Sequence, residues 1–110
     1  MRQLSCIRVL STALVLAVAA PIATTAARAE TGIASYYPGR GHAGLTCAHK
    51  TAPFGTHFKV VRLDGKGSVT CTVNDRGPYG KGFIIDLSIS AARSLGIIRS
   101  GITMVRIDRV

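Results

Sequence analysis

The apolar positions of this 110-residue chain fall in short blocks rather than long stripes, and glycine or proline separates most of them. That spacing favours short strands over long helices. Gly32 to Tyr37 reads as a first strand, and Pro38, Gly39, Gly41 and Gly44 mark a loop after it. His57 to Leu63 fits another strand, stopped by the turn signal Asp64-Gly65-Lys66-Gly67. Ser68 to Val73 alternates, with Val69, Cys71 and Val73 on one face and Ser68, Thr70 and Thr72 on the other. After a glycine-rich turn from Gly77 to Gly82, Phe83 to Leu87 reads as a short buried strand. Ser88 suits the cap of a helix over Ile89 to Leu95, with Gly96 as its stop. Ile102 to Val110 closes as a last strand. The pattern predicts an all-β domain with small α content, built as a small barrel.

Composition changes the picture first at the N-terminus. Arg2 and Arg8 precede an apolar run from Thr12 to Ala20, and Ala27-Arg28-Ala29 supplies a small-x-small cleavage site. The run is too short for a stable span. Residues 1–29 are therefore expected to be a cleaved signal peptide, leaving one domain over 30–110 that is exported to the periplasm or beyond. Cys6 lies at the wrong end of the apolar run for a lipid-attachment cysteine. Without the leader two cysteines remain, Cys47 and Cys71, and in an oxidising compartment that pair reads as a disulfide. Closing such a loop stabilises a domain by about 3–4 kcal/mol in the chain-entropy account. The set His42, Cys47, His49 and Cys71 matches no usual zinc spacing, so no metal or other cofactor is expected. With Arg2, Arg8 and Arg28 set aside, 11 basic residues face 5 acids, a formal +6. Outside the inner membrane that charge favours anionic wall polymers or lipid headgroups over nucleic acid, and a monomer is expected.

The acids are few enough to take singly. Glu30 falls at the expected new N-terminus and reads as mobile, Asp64 as a turn residue, and Asp108 as solvent-facing. Asp75 reads either as a turn residue binding backbone amides or as a functional acid. Asp86 interrupts the apolar run Ile84, Ile85, Leu87, where a carboxylate needs a partner or a task. Its bland partner is Arg76. Its functional reading is an acid kept protonated by apolar walls, the form that cleaving a sugar chain requires. His49 is the second candidate, as a group supporting the acid or binding substrate, or as a histidine satisfied by nearby backbone. Tyr36, Tyr37 and Tyr79 are preferred to Phe54 as aromatic faces for sugar rings, and Arg76, Lys81 and Lys50 suit carboxylate ligands.

Four blocks carry a resemblance across Gly32 to Val110. They are Gly32-Ile33-Ala34-Ser35-Tyr36-Tyr37, Ala48-His49-Lys50-Thr51-Ala52-Pro53-Phe54-Gly55-Thr56, the stretch Asn74 to Ser88, and Ala91-Ala92 with Leu95-Gly96 and Val105-Arg106-Ile107. In this order they resemble the RlpA (rare lipoprotein A) family. The resemblance implies a six-stranded double-psi β-barrel and lytic cleavage of peptidoglycan glycan strands to 1,6-anhydromuramyl ends. It implies Asp86 as acid/base with His49 assisting, while Asp75 joins the catalytic candidates on the reading of the residues alone. Such a reaction needs no water nucleophile, so the two-carboxylate rule of hydrolases does not bind it. One departure stands out. Family members usually carry an asparagine-glycine-glutamate step before the Ala-His block, whereas Gly41 to Cys47 bridges that place without an acid. The alternative is therefore a non-catalytic wall-binding module of the expansin kind. A protein-interaction or inhibitor module on the same barrel is a third reading.

Overall fold

Alternation along the strands builds the wall of the molecule, because period-2 side chains send every second residue inward. In the computed structural model, which describes residues 29–38 and 44–110 together with Ala13, six strands close into one barrel. They are β1 (Glu30–Tyr36), β2 (Thr46–Ala48), β3 (His57–Arg62), β4 (Ser68–Asp75), β5 (Phe83–Leu87) and β6 (Ile102–Arg109), with α1 (Ile89–Leu95) between β5 and β6. The leader expected over residues 1–29 lies, Ala13 and Ala29 apart, outside the described residues, as do 39–43 of the glycine-proline loop.

Around the barrel the strands run β1-β5-β2-β4-β3-β6, and β6 pairs back to β1. The β1–β5 and β2–β4 pairs are parallel and the rest antiparallel. Inward positions from every strand meet in one core, including Ala34, Cys47, Phe58, Val60, Cys71, Val73, Ile85, Leu87, Val105 and Ile107. Burying each larger side chain contributes about 1.5–3 kcal/mol. Cys47 and Cys71 form a disulfide inside that core, with 5.8 Å between their Cα atoms. The alternation read from Ser68 to Val73 thus points Cys71 as expected.

Four differences from the sequence reading matter for function. The first strand begins at Glu30, which is held in β1 rather than mobile. Strand β2 has three residues, too few to show a period, yet it separates β5 from β4. Strand β4 continues to Asp75, so Asp75 ends a strand instead of sitting in a turn. Strand β6 ends at Arg109 rather than Val110.

The helix is short and needs both ends satisfied. Ser88 Oγ accepts the Ala91 amide at 3.2 Å and donates to the Gly44 carbonyl at 2.9 Å. Gly96 takes the left-handed conformation at the C-terminal end, where a residue without Cβ is favoured. Arg62 from β3 donates to the Leu95 and Gly96 carbonyls, both at 3.2 Å, and grips Asp64 with two further bonds. One guanidinium therefore locks a helix end to a hairpin turn. Close strand contact has its own requirement at Gly32, where a Cβ would come within 2.6 Å of Ile84 Cγ2 and 3.0 Å of the Gly82 carbonyl. Only glycine lets β1 approach β5 there.

Candidate active site

Register assembles the candidate site. Ala34, Ile85 and Leu87 face the core, so their neighbours Ser35 and Asp86 face outward. Ser35 pairs with Asp86 across β1–β5, Asp86 with Ala48 across β5–β2, and Ala48 with Asp75 across β2–β4. One row across four adjacent strands thus carries a hydroxyl and two carboxylates. Tyr37 joins them from the end of β1, its amide donating to the Leu87 carbonyl at 3.1 Å.

Asp86 is half-buried, and Ser35 Oγ donates to its Oδ1 at 2.9 Å. Burial pushes the Asp86 carboxyl above the usual carboxylate range, the Ser35 bond pulls the other way, and the Asp75 charge adds to the rise. The pairing with Arg76 considered from sequence is not formed. Arg76 instead donates through one nitrogen to the Ala52 carbonyl at 2.7 Å and the His49 carbonyl at 3.2 Å. Asp75 accepts its own neighbour's amide, Arg76 N–H, at 2.8 Å. Burial also raises the Tyr37 phenol, against a hydrogen bond with Thr46, and the charges of Asp75 and Asp86 raise it further. A phenol and a carboxyl, both raised above their ordinary ranges, therefore face the same outer surface.

His49 is placed differently. Its ring is only 3% exposed and lies 4.8 Å, centroid to centroid, from Phe58. Nδ1 accepts the Ala52 amide at 2.9 Å and the Thr51 amide at 3.3 Å. Both lone-pair contacts on Nδ1 assign the ring proton to Nε2, which donates to Glu30 Oε1 at 3.1 Å. No hydrogen bond among the described residues joins the ring to Asp86. The link runs through backbone, since the His49 amide donates to the Asp75 carbonyl at 3.1 Å. His49 thus shapes the segment that carries the acid row.

The remaining candidates separate by exposure. Tyr36 donates its hydroxyl to the Ile98 carbonyl at 2.9 Å and packs on the core, away from the role taken by Tyr37. Tyr79 is 77% exposed, and Lys50 and Lys81 are exposed as well. Phe54, passed over in favour of the tyrosines, is 62% exposed and carries the Arg76 guanidinium 4.4 Å from its ring centre. Ser35 and Thr46 were not singled out from sequence. Ser35 had a signal, its outward place between Ala34 and Tyr36, whereas Thr46 had none because its strand is so short.

The family described as lytic transglycolase matches residues 29–107. The chain belongs to that family. It is an RlpA-like double-psi β-barrel domain, a six-stranded barrel with one helix. It is 45% identical over 101 residues to a Synechocystis protein named "Probable endolytic peptidoglycan transglycosylase RlpA", covering 80% of this chain and 31% of that one. It is 42% identical over 94 residues to the endolytic peptidoglycan transglycosylase RlpA of Pasteurella multocida, covering 74% of this chain and 32% of that one. The chain thus spans about a third of the length of these curated relatives. Among solved structures it is similar to the apo expansin of Clavibacter michiganensis, with TM-score 0.62 and 24% identity over 76% of this chain and 50% of that one. That last likeness shows the barrel fold.

Proposed function

We propose that this domain cleaves the glycan strands of peptidoglycan as an endolytic lytic transglycosylase, with Asp86 as its acid and base. The observation that carries the reading is the row Ser35–Asp86–Ala48–Asp75, in which a half-buried carboxyl, raised above the usual carboxylate range, lies beside a second acid. Kinship to proteins named as endolytic peptidoglycan transglycosylases supports the choice of polymer.

In the proposed reaction the Asp86 carboxyl gives its proton to the glycosidic oxygen as the C1–O bond of muramic acid breaks. The resulting carboxylate takes the proton of the 6-hydroxyl on the same sugar while O6 bonds to C1. The products are a new 4-hydroxyl and a 1,6-anhydromuramyl end, and Asp86 is protonated again. Ser35 aims the carboxyl, burial raises its hold on the proton with a smaller push from Asp75, and Asp75 offers negative charge to the developing oxocarbenium ion. His49 acts as a positioning residue for the segment behind Asp75 and Arg76. Tyr37, Tyr79, Arg76 and Lys50 surround the row as substrate contacts. Residues 1–29 serve as an export signal cleaved after Ala29, so the domain works in the periplasm or outside the cell.

The deciding test is a digest of purified peptidoglycan with the 30–110 protein, read by mass spectrometry for anhydromuramyl ends. The expected result is anhydro products that vanish in Asp86→Asn. Co-sedimentation with the wall and no products from either protein would instead establish the expansin-like binding reading, for which Gly41 to Cys47, without an acid, is the specific sequence support.

A further inference from the structure

The acid row ends at Asp75, but the surface chemistry does not. The next residue, Arg76, is held by two backbone carbonyls from the preceding loop, both through Nη1. Its remaining guanidinium donors are thereby aimed without being used up, and among the described residues Arg76 forms no ion pair with a carboxylate. Beneath it lies Phe54, at the tip of a tight turn. Thr56 closes that turn on the Pro53 carbonyl through its hydroxyl at 2.6 Å and its amide at 3.1 Å, and Gly55 N–H ties it to the Val73 carbonyl of β4 at 2.8 Å. Phe54 therefore rises from a fixed turn, with the Arg76 guanidinium 4.4 Å from its ring centre and most of its remaining surface in water.

Such an arrangement has a chemical preference. An aromatic face packs against the C–H surface of a pyranose ring, and a pre-organised guanidinium takes a carboxylate with two N–H donors. Holding both groups in place beforehand lowers the ordering cost of binding.

We propose that Phe54 and Arg76 form a sugar subsite beyond Asp75 that selects a pyranose bearing a carboxylate. The subsite rests on the glycan-cleaving reading for the identity of the polymer, and it extends the acid row by one sugar. The carboxylate has two sources in a wall glycan, the lactyl group freed when the stem peptide is removed and the acids of the stem itself.

Binding is measured by calorimetry in the Asp86→Asn protein, so that nothing turns over. The probes are stem-stripped glycan oligosaccharides, stem-bearing ones, and neutral chitohexaose. Phe54→Ala is expected to weaken all three by about tenfold, and Phe54→Trp to restore affinity with a change in indole fluorescence on binding. Arg76→Gln is expected to weaken the acidic probes about tenfold and leave chitohexaose unchanged. Whichever acidic probe loses more identifies the source of the carboxylate. Unchanged affinity in Phe54→Ala overturns the aromatic half of the subsite, and equal losses for neutral and acidic probes in Arg76→Gln overturn the carboxylate selection. If Arg76→Gln unfolds, as melting would show, a salt titration of the parent replaces it. Affinity for acidic probes that falls with salt while chitohexaose stays constant supports the selection, and equal salt response overturns it.

The two readings fail separately. A parent with Asp86 intact that yields no anhydro ends, yet binds through Phe54, keeps the subsite and loses the lytic reaction. A parent that yields them with an unaltered KM in Phe54→Ala keeps the reaction and loses the subsite.

Discussion

Two aspartates on this barrel show how surroundings divide one side chain into two occupations. Asp64 sits exposed in the β3–β4 turn, where the Arg62 bonds, led by Nη2–H to Oδ2 at 2.6 Å, and the Lys66 amide hold its carboxyl below the ordinary range. Asp86 sits half-buried on β5, where loss of water and the Asp75 charge hold its carboxyl above that range. Both lie in glycine-marked sequence and both accept good hydrogen bonds. The first difference is water, lost around Asp86 and kept around Asp64, and after it the partners, two strong donors for Asp64 and a single hydroxyl with a second carboxylate nearby for Asp86. A paired, hydrated acid is held toward its charged form and serves the fold, whereas a half-buried acid with no cation beside it holds its proton more readily.

The comparison breaks most completely at the acid itself. Asp86→Asn should reduce the yield of anhydro ends by roughly 10²–10⁴-fold, the usual scale for losing a general acid, while wall binding persists. Retained turnover would move the chemistry to another residue.

Its causes can be exchanged next. Asp75→Asn removes the charge that raises Asp86, so the alkaline limb of the pH–rate profile should move to lower pH. Ser35→Ala removes the bond that favours the carboxylate, so the same limb should move to higher pH. Two shifts in one direction would show that the limb belongs to a different group.

Arg62→Ala tests the structural side. It strips the Leu95 and Gly96 carbonyls of a donor, which should cost about 1–2 kcal/mol in chemical denaturation and leave the pH profile of any activity in place.

The smallest effect concerns stability against pH, and its sign differs between the two acids. Asp64 has a depressed folded pKa, so its contribution is present above the unfolded carboxyl value of about 4 and is lost as pH falls through the folded value. Asp86 has a raised folded pKa, so it destabilises the native state above that value and not below about 4. Asp86→Asn should therefore raise the melting temperature slightly at pH 7, and the gain should vanish in acid. Asp64→Asn should lower it at pH 7, with the loss vanishing in acid.

Much of the barrel was legible in the chain because its signals are local. The Ser68–Val73 alternation, the Asp64–Gly67 turn and the Ser88 and Gly96 caps each act within a few residues, and each appears where expected. Asp86 was legible as an acid out of place among Ile84, Ile85 and Leu87. Its partner was not, because Arg76 and Ser35 are both plausible along the chain and only the parallel β1–β5 register decides between them. Glu30 was misread for the same reason, since nothing near it announces His49 as its neighbour.

The sequence by itself determined every element type except the three-residue β2, the inward cysteine of β4, the family through its four blocks, and which acids were candidates for chemistry. Those follow from short-range periodicity and residue chemistry. Tertiary structure alone decided that Ser35, Asp86, Ala48 and Asp75 form one row, that Tyr37 rather than Tyr36 meets the acids, and that Arg76 lies over Phe54. Those are facts of strand order and register. A shift of one residue would turn each side chain to the other face of the wall, and no local pattern records which neighbour a strand will find.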